Sequence, residues 1–138
     1  MFIKQISVFL ENKAGRLAEI TGVLAANEIN IKAMSIADTN DFGILRLIVD
    51  DPESALASLK TAGFRVRETS VVGILLEHKP GGLHKVLKKM EEKNISVEYI
   101  YDCLYAGDGE YVTIIVKLEK QDEAVDALKA SGVRFLNG

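Results

Sequence analysis

Two similar eight-residue stretches of this chain mark the same place in a repeated unit. The first is Leu10-Glu11-Asn12-Lys13-Ala14-Gly15-Arg16-Leu17, and the second, 66 positions later, is Leu76-Glu77-His78-Lys79-Pro80-Gly81-Gly82-Leu83. The same offset aligns Ile29 with Ile95 and Gly43 with Gly109. After a three-residue insertion, Ala55-Leu56 aligns with Ala124-Val125, and Gly63 with Gly132. Because these matches fall on turns and core positions, where a shared backbone would require them, the sequence predicts a duplicated unit.

Each copy begins with a strand that leads through a glycine-containing loop into a helix. Residues 2–10 alternate in polarity, with Ile6, Val8 and Leu10 on one face, which predicts a β-strand. Apolar residues at helical spacing follow the loop. The predicted inward stripe of this helix comprises Leu17, Ile20 and Leu24 in the first copy, and Leu83, Val86, Leu87 and Met90 in the second.

A hairpin, a second helix and a last strand complete each copy. The hairpin strands are predicted at 29–39 and 44–50, and in the second copy at 95–105 and 110–118. Asp51-Pro52 predicts the start of the second helix, because aspartate caps helices and proline suits their first turn. The last strands are predicted at 64–69 and 133–136.

The resulting element order is β-α-β-β-α-β, twice. It predicts an α+β fold of two tandem ferredoxin-like βαββαβ units, residues 1–70 and 71–138, each a four-stranded antiparallel sheet with two helices on one face. Such small units leave open sheet edges, and pairing would cover them. We therefore expect the two copies to pack together and the chain to form a homodimer.

Composition and charge exclude several classes of function. The 17 basic and 20 acidic side chains give a net charge of −3 and are spread evenly along the chain, which argues against nucleic-acid or membrane-surface partners. The lone Cys103 excludes a disulfide framework and any multi-cysteine metal site. The chain has no long apolar run and no signal-peptide layout, so we expect a soluble, cytoplasmic protein without metal or cofactor.

The loop before the first helix has the chemistry of a small zwitterion site. Unpaired N–H groups and the positive end of the helix dipole favour an anion there. Gly15 lacks a Cβ and allows close approach, while Asn12 and Asn30 offer amide groups for hydrogen bonds. A free amino acid fits this combination, although asparagine also favours turns for purely local reasons.

The motif Asn12-Lys13-Ala14-Gly15-Arg16-Leu17, with Ile29-Asn30-Ile31 after the helix, resembles the ACT domain family, whose pattern is Asn-x-Pro-Gly-x-Leu followed by apolar-Asn-apolar. The resemblance covers the whole chain as two copies. It implies a non-enzymatic regulatory protein that binds an amino acid where two domains meet and acts on a metabolic enzyme or transporter. The implied ligand-binding residues are Asn12, Lys13, Ala14, Gly15, Arg16, Leu17 and Asn30, and in the second copy His78, Pro80, Gly81, Gly82, Leu83 and Ser96.

Three departures from the family pattern leave alternatives open. Ala14 replaces the usual proline, and the second copy has His78 and Ser96 where the first has Asn12 and Asn30. Asn12 can therefore pair with Asn30 across a homodimer, which we favour, or with Ser96 within one chain. The main alternative function is a structural interaction module that associates through its sheet edges without ligand. An acylphosphatase-like enzyme lacks the required arginine and asparagine in a phosphate cradle.

Overall fold

The computed structural model describes residues 2–38, 41–103 and 109–137, and it has an α+β fold of antiparallel strands and four helices. The elements are β1 (Phe2–Glu11), α1 (Arg16–Ala26), β2 (Ile31–Asp38), β3 (Phe42–Val49), α2 (Pro52–Thr61), β4 (Arg65–Glu77), α3 (Gly82–Glu92), β5 (Val97–Asp102), β6 (Tyr111–Leu118), α4 (Gln121–Ala130) and β7 (Arg134–Phe135). Among the described residues, no helix has both the length and the apolar composition needed to cross a membrane.

Contacts divide the chain into two compact units, which are Lys4–Thr69, here called the N-terminal unit, and Met1–Ile3 with Ser70–Gly138, here called the C-terminal unit. The predicted domain limits of 1–70 and 71–138 remain a prediction. Each unit has its own apolar core, and the two cores share no residue.

The N-terminal unit orders its strands β2-β3-β1, followed by the first part of β4. Its core takes alternate residues of the strands and one stripe from each helix, because a strand side chain faces the same way every second residue and a helix side chain every third or fourth. The core residues are Ile6, Val8, Leu10, Ile20, Leu24, Ile29, Leu45, Leu47, Val49, Ala55 and Leu59. The inward face predicted for β1 is therefore confirmed, as is the Asp51 cap, whose carboxylate accepts a hydrogen bond from the Ser54 N–H at 3.1 Å.

The C-terminal unit orders its strands β5-β6-β4, with β7 also paired to β4. Its core is built in the same way, from Val72, Ile74, Leu76, Val86, Met90, Ile114, Val116, Leu118, Ala124, Val125, Leu128, Val133 and Phe135. The last strand is shorter than predicted, since β7 contains only two residues.

The structure corrects the prediction of separate strands on either side of the copy boundary. Arg65–Glu77 is one continuous strand of 13 residues, whereas the sequence predicted one strand ending at Thr69 and a separate strand at the beginning of the second copy. The residues at this boundary, Thr69-Ser70-Val71, include no glycine or proline, and β-branched residues favour extended backbone. Nothing local therefore ends the strand.

The alignment of Gly43 with Gly109 was also wrong. Gly43 pairs with Leu10 on β1, and the residue that pairs with Leu76, the counterpart of Leu10, is Val112. The three-residue insertion therefore lies in the β5–β6 connection rather than after it. Two glycines near hairpin turns produced the false match, and the predicted turn residues at 40 and at 107–108 lie outside the described part of the chain.

Two predicted helix stripes are only partly buried. Ile20 and Leu24 of α1 lie in the core, but Leu17 remains 37% exposed. In α3, Leu83 and Leu87 remain 40% and 36% exposed while Val86 and Met90 are buried. Leu17 and Leu83 precede the first core residue of their helices by three positions, so each stands at the loop end of its helix.

Candidate functional site

The predicted ligand loop of the N-terminal unit joins β1 to α1. The Asn12 N–H donates to the Asp41 carbonyl at 3.0 Å, and the first helical hydrogen bond runs from the Glu19 N–H to the Gly15 carbonyl at 2.9 Å. Gly15 is the N-cap, and no side chain caps the helix. The N–H groups of Leu17 and Ala18 precede the first helical bond and have no carbonyl partner within the helix. They form the donor pair on which an anion site would depend.

The predicted loop of the C-terminal unit has the same backbone arrangement. The His78 N–H donates to the Glu110 carbonyl at 2.8 Å, and the Lys85 N–H donates to the Gly81 carbonyl at 2.9 Å. Gly81 is the N-cap of α3 and again no side chain caps the helix. This places Pro80, Gly81, Gly82 and Leu83 around a second donor pair.

Glycine is required at both N-caps because the backbone there has a positive φ, and not because a side chain would be crowded. Gly15 and Gly81 have φ values of 88° and 85°, which L side chains rarely adopt, and a Cβ on either would meet nothing within 4 Å. The next position differs between the units, because a Cβ on Gly82 would collide with the Glu77 carbonyl oxygen, whereas the first unit carries Arg16 there. Space beside each cap is thus open to a ligand.

Asn12 is held against the start of β3. Its Oδ1 lies 3.2 Å from the position that a Cβ on Gly43 would occupy. Because Gly43 has no side chain, the amide of Asn12 can lie at this point. The counterpart of Gly43 in the C-terminal unit is Val112, which carries a side chain at this point.

Asn30 and Ser96 occupy equivalent places just before β2 and β5. The Asn30 N–H donates to the Asp50 carboxylate at 3.0 Å, and its carbonyl accepts from the Asp50 N–H at 3.1 Å. The Ser96 carbonyl accepts from the Glu119 N–H at 3.1 Å. Both residues are exposed, and their backbone groups tie the strand start to the end of the hairpin. Their side chains belong to a different loop from Asn12 and His78.

Ion pairs flank each loop. Lys13 Nζ lies 2.7 Å from the Glu11 carboxylate and Lys79 Nζ lies 2.6 Å from that of Glu77. Hydrogen bonding from the lysine, with its charge, lowers the pKa of Glu11 and of Glu77, and the bond to Glu77 raises the pKa of Lys79. Arg16 pairs with Glu19 at 3.2 Å on the first turn of α1. All of these pairs are solvent-exposed, so they orient the loops only weakly.

A hollow adjoins the helix start in each unit. The N-terminal hollow has a volume of about 220 Å³ and is lined by Phe9, Leu10, Glu11, Arg16, Glu19, Ala62, Gly63, Phe64 and Arg65. The C-terminal hollow has a volume of about 260 Å³ and includes the corresponding Leu75, Leu76, Glu77, Gly82, Lys85, Gly132, Val133 and Arg134. Lys79 and Lys89 also line it, so four basic residues surround it with one carboxylate. The N-terminal hollow is balanced, with two arginines and two glutamates.

A larger cavity lies beside the N-terminal hollow and was not predicted from the sequence. This apolar groove has a volume of about 550 Å³ and is lined by Phe9, Leu10, Glu11, Ala37, Phe42, Gly43, Ile44 and Arg65. Phe9 alternates with the core residues of β1 and lies on the other face of the strand. The exposed aromatic side chains at 9 and 42 were the available signal, but their proximity depends on strand pairing.

No group of three or more histidine, cysteine or acidic side chains suited to a metal ion occurs within residues 2–38, 41–103 and 109–137. Cys103 is half-buried beside β5, and Tyr99 and Tyr101 stack on that strand with their ring centroids 6.4 Å apart. Tyr105, which alternates with these two tyrosines in the sequence, lies outside the described residues.

Known proteins resemble the chain over nearly its full length. A family model described as an ACT domain pair matches residues 1–136. The crystal structure of protein BT0572 from Bacteroides thetaiotaomicron is 41% identical, with a TM-score of 0.91 over 99% of this chain and 92% of that one. No curated protein matches.

Regulatory subunits of aspartate kinase share the fold at low sequence identity. The ligand-free subunit from Thermus thermophilus is 18% identical, with a TM-score of 0.67 over 94% of this chain and 90% of that one. The subunit from Thermus flavus is 15% identical, with a TM-score of 0.61 over 92% of this chain and 88% of that one.

Proposed function

Because the chain belongs to the ACT domain pair family, we propose that it is a non-enzymatic regulatory protein that binds a free amino acid at the β1–α1 loop. The observation that carries this proposal is the start of α1 at Gly15, which no side chain caps and which follows Asn12 in the same loop. An amino acid presents a carboxylate and an ammonium, and this loop carries backbone N–H donors and an amide oxygen.

Each end of the ligand has a partner of suitable chemistry. The carboxylate accepts hydrogen bonds from the N–H groups of Leu17 and Ala18, where the helix dipole also favours negative charge. The ammonium donates to Asn12 Oδ1, which is an acceptor without net charge. Lys13, Ala14 and Arg16 shape the loop around these contacts.

We further propose two ferredoxin-like ACT units, residues 1–70 and 71–138, in a cytoplasmic homodimer. Asn12 of one protomer would meet Asn30 of its partner, and the alternative pairing joins Asn12 to Ser96 within one chain. A ligand bound between two domains favours their docked arrangement by its difference in affinity for docked and undocked states. A metabolic enzyme or transporter would respond to that change.

A structural interaction module is the second candidate function. It is supported by exposed apolar side chains on the strands that end each sheet order, namely Met34 and Ile36 on β2 and Ile100 on β5, which are 41%, 42% and 40% exposed. Such edges pair readily with another chain. In that case the partner would be a protein, and the loops would bind no ligand.

Thermal melting of the full chain against a panel of the free amino acids and nucleobases separates these functions. A specific ligand at about 100 times its Kd stabilises the folded state by about 2.7 kcal/mol, a clear shift in the melting midpoint. Asn12→Ala should abolish the shift with little change in the ligand-free midpoint, and His78→Ala, at the equivalent position, serves as the matched control. No shift with any compound would leave the interaction module as the better account.

A further inference from the structure

We propose that the ligand is an amino acid with a large apolar side chain, aromatic or branched, and that this side chain lies in the apolar groove beside the N-terminal hollow. The inference rests on the proposed amino-acid binding and specifies its chemical class. It starts from a feature of the cavities: the hollow and the groove share Phe9, Leu10, Glu11 and Arg65 as a common wall.

The groove has the size and surface of a small-molecule site. Its volume of about 550 Å³ lies within the range of ligand pockets, about 300–1,000 Å³. Six of its eight lining residues are apolar. Phe9 and Phe42 are 38% and 62% exposed, and a ligand side chain laid across them would remove apolar surface from water. A polar or charged ligand side chain would lose its hydration there without gaining a partner.

The shared wall carries the two charges that a zwitterion needs. The Arg65 guanidinium lies 5.6 Å from the centroid of the Phe9 ring, and among the described residues no carboxylate lies within 4.0 Å of it. Glu11, on the same wall, lies directly before Asn12 and is a carboxylate at pH 7, with its pKa lowered by Lys13. A carboxylate placed between Arg65 and the start of α1, with its ammonium toward Glu11 and Asn12, leaves the side chain to enter the groove.

The C-terminal unit does not repeat this arrangement. Val112 stands where the N-terminal unit has Gly43, and the Arg134 guanidinium lies 4.8 Å from the centroid of the Tyr111 ring, the counterpart of Phe42. Four basic residues line the adjoining hollow. The same loop backbone therefore meets different side chains, and we expect one apolar amino acid to bind per chain rather than two.

Isothermal titration of the full chain tests this assignment with phenylalanine and leucine against lysine, serine and glycine. Phenylalanine or leucine should bind at least about tenfold more tightly than the polar amino acids, at one site per chain. Phe9→Ala should reduce that preference about tenfold, and Leu75→Ala, its counterpart, should not. Phe42→Ala provides a second test at a more exposed position, and melting curves verify that each variant is folded.

Analogues lacking one charge separate the two ends of the ligand. Arg65→Gln should weaken phenylalanine and 3-phenylpropionate at least about tenfold but leave phenethylamine unchanged, because only the first two carry a carboxylate. Arg134→Gln is the matched control and should alter none of them.

The binding experiments distinguish an error in the proposed apolar class from an error in the proposed amino-acid binding. If lysine or serine binds as well as leucine, depends on Asn12 and ignores Phe9→Ala, the apolar class is wrong while the proposed function stands. If 3-phenylpropionate and phenylalanine bind equally and ignore Asn12→Ala, the groove binds hydrophobic acids and amino-acid recognition is wrong. If nothing binds and Phe42→Ala shifts the sedimentation of the chain from dimer to monomer, the groove is occupied by a second copy and both proposals fall.

Discussion

Replacing Gly43 by valine should weaken ligand binding without weakening the fold. Valine is the residue that the C-terminal unit carries at this place, Val112. A Cβ on Gly43 would lie 3.2 Å from Asn12 Oδ1, 3.7 Å from the Ala37 carbonyl oxygen and 3.8 Å from Ile36 Cγ2. Only the first distance is shorter than an ordinary van der Waals contact. The added Cβ should therefore displace the Asn12 amide and little else.

The expected loss of affinity equals that of one hydrogen bond to a charged group. Such a bond contributes about 1.5–3 kcal/mol, and losing it would raise the Kd about 10- to 150-fold. The free energy of unfolding should rise or stay unchanged, because valine suits a strand better than glycine and restricts the unfolded chain. The variant therefore separates binding from folding, which substitutions in the apolar core would not do.

A double-mutant cycle assigns the effect to Asn12. Titration of the best-binding amino acid with Gly43→Val, Asn12→Ala and the double variant gives the three affinities needed. Valine should add nothing once Asn12 is alanine, since the oxygen it displaces is already gone. Additive losses would mean that valine acts on the apolar groove instead, and unchanged affinity in Gly43→Val would contradict the placement of Asn12 in the site.

Three further predictions concern the loops and one cap. Gly15→Ala and Gly81→Ala should each destabilise the fold by about 1–2 kcal/mol in urea unfolding, through left-handed backbone strain alone, since nothing lies within 4 Å of either added carbon. Gly82→Ala should destabilise more than either, because its Cβ would collide with a backbone carbonyl oxygen at the end of β4. Hydrogen bonding from Ser54 lowers the pKa of Asp51 from 3.8. The Asp51 carboxylate therefore stabilises the fold above about that pH, and its contribution disappears as the pH falls through the lowered pKa. Ser54→Ala should raise the pKa of Asp51 in an NMR titration and reduce the dependence of stability on acid pH.

The order and kind of the secondary-structure elements were predictable because the decisive signals are local. Alternation in β1, helical spacing in α3 and the Asp51-Pro52 start of α2 each depend on neighbours within a few residues. The continuity of β4 was missed for the opposite reason. Its two halves belong to different copies of the repeat, so the repeat predicts a boundary at 69–71 although no turn signal occurs there.

The candidate site was predictable only where it is contiguous in sequence. The loop from Asn12 to Leu17 is one stretch, and its glycine and helix start were visible in the sequence. The apolar groove combines Phe9, Phe42 and Arg65 from three strands, and only the pairing of β1 with its neighbours brings them together. The counterpart of Gly43 also depends on strand register, because Gly43 aligns with Gly109 in the sequence but with Val112 in the sheet.

The two units keep the same loop backbone while their side chains differ, and this difference indicates which features carry function. The hydrogen bonds of Asn12 and His78 recur at equivalent atoms, so they are requirements of the fold and cannot select a ligand. Selectivity for a ligand must therefore come from the positions at which the side chains of the two units differ. In the N-terminal hollow Glu19 balances an arginine, whereas its counterpart Lys85 adds to a cationic lining. A zwitterion matches the balanced hollow and is mismatched in the cationic one, which argues for ligand binding in the first unit.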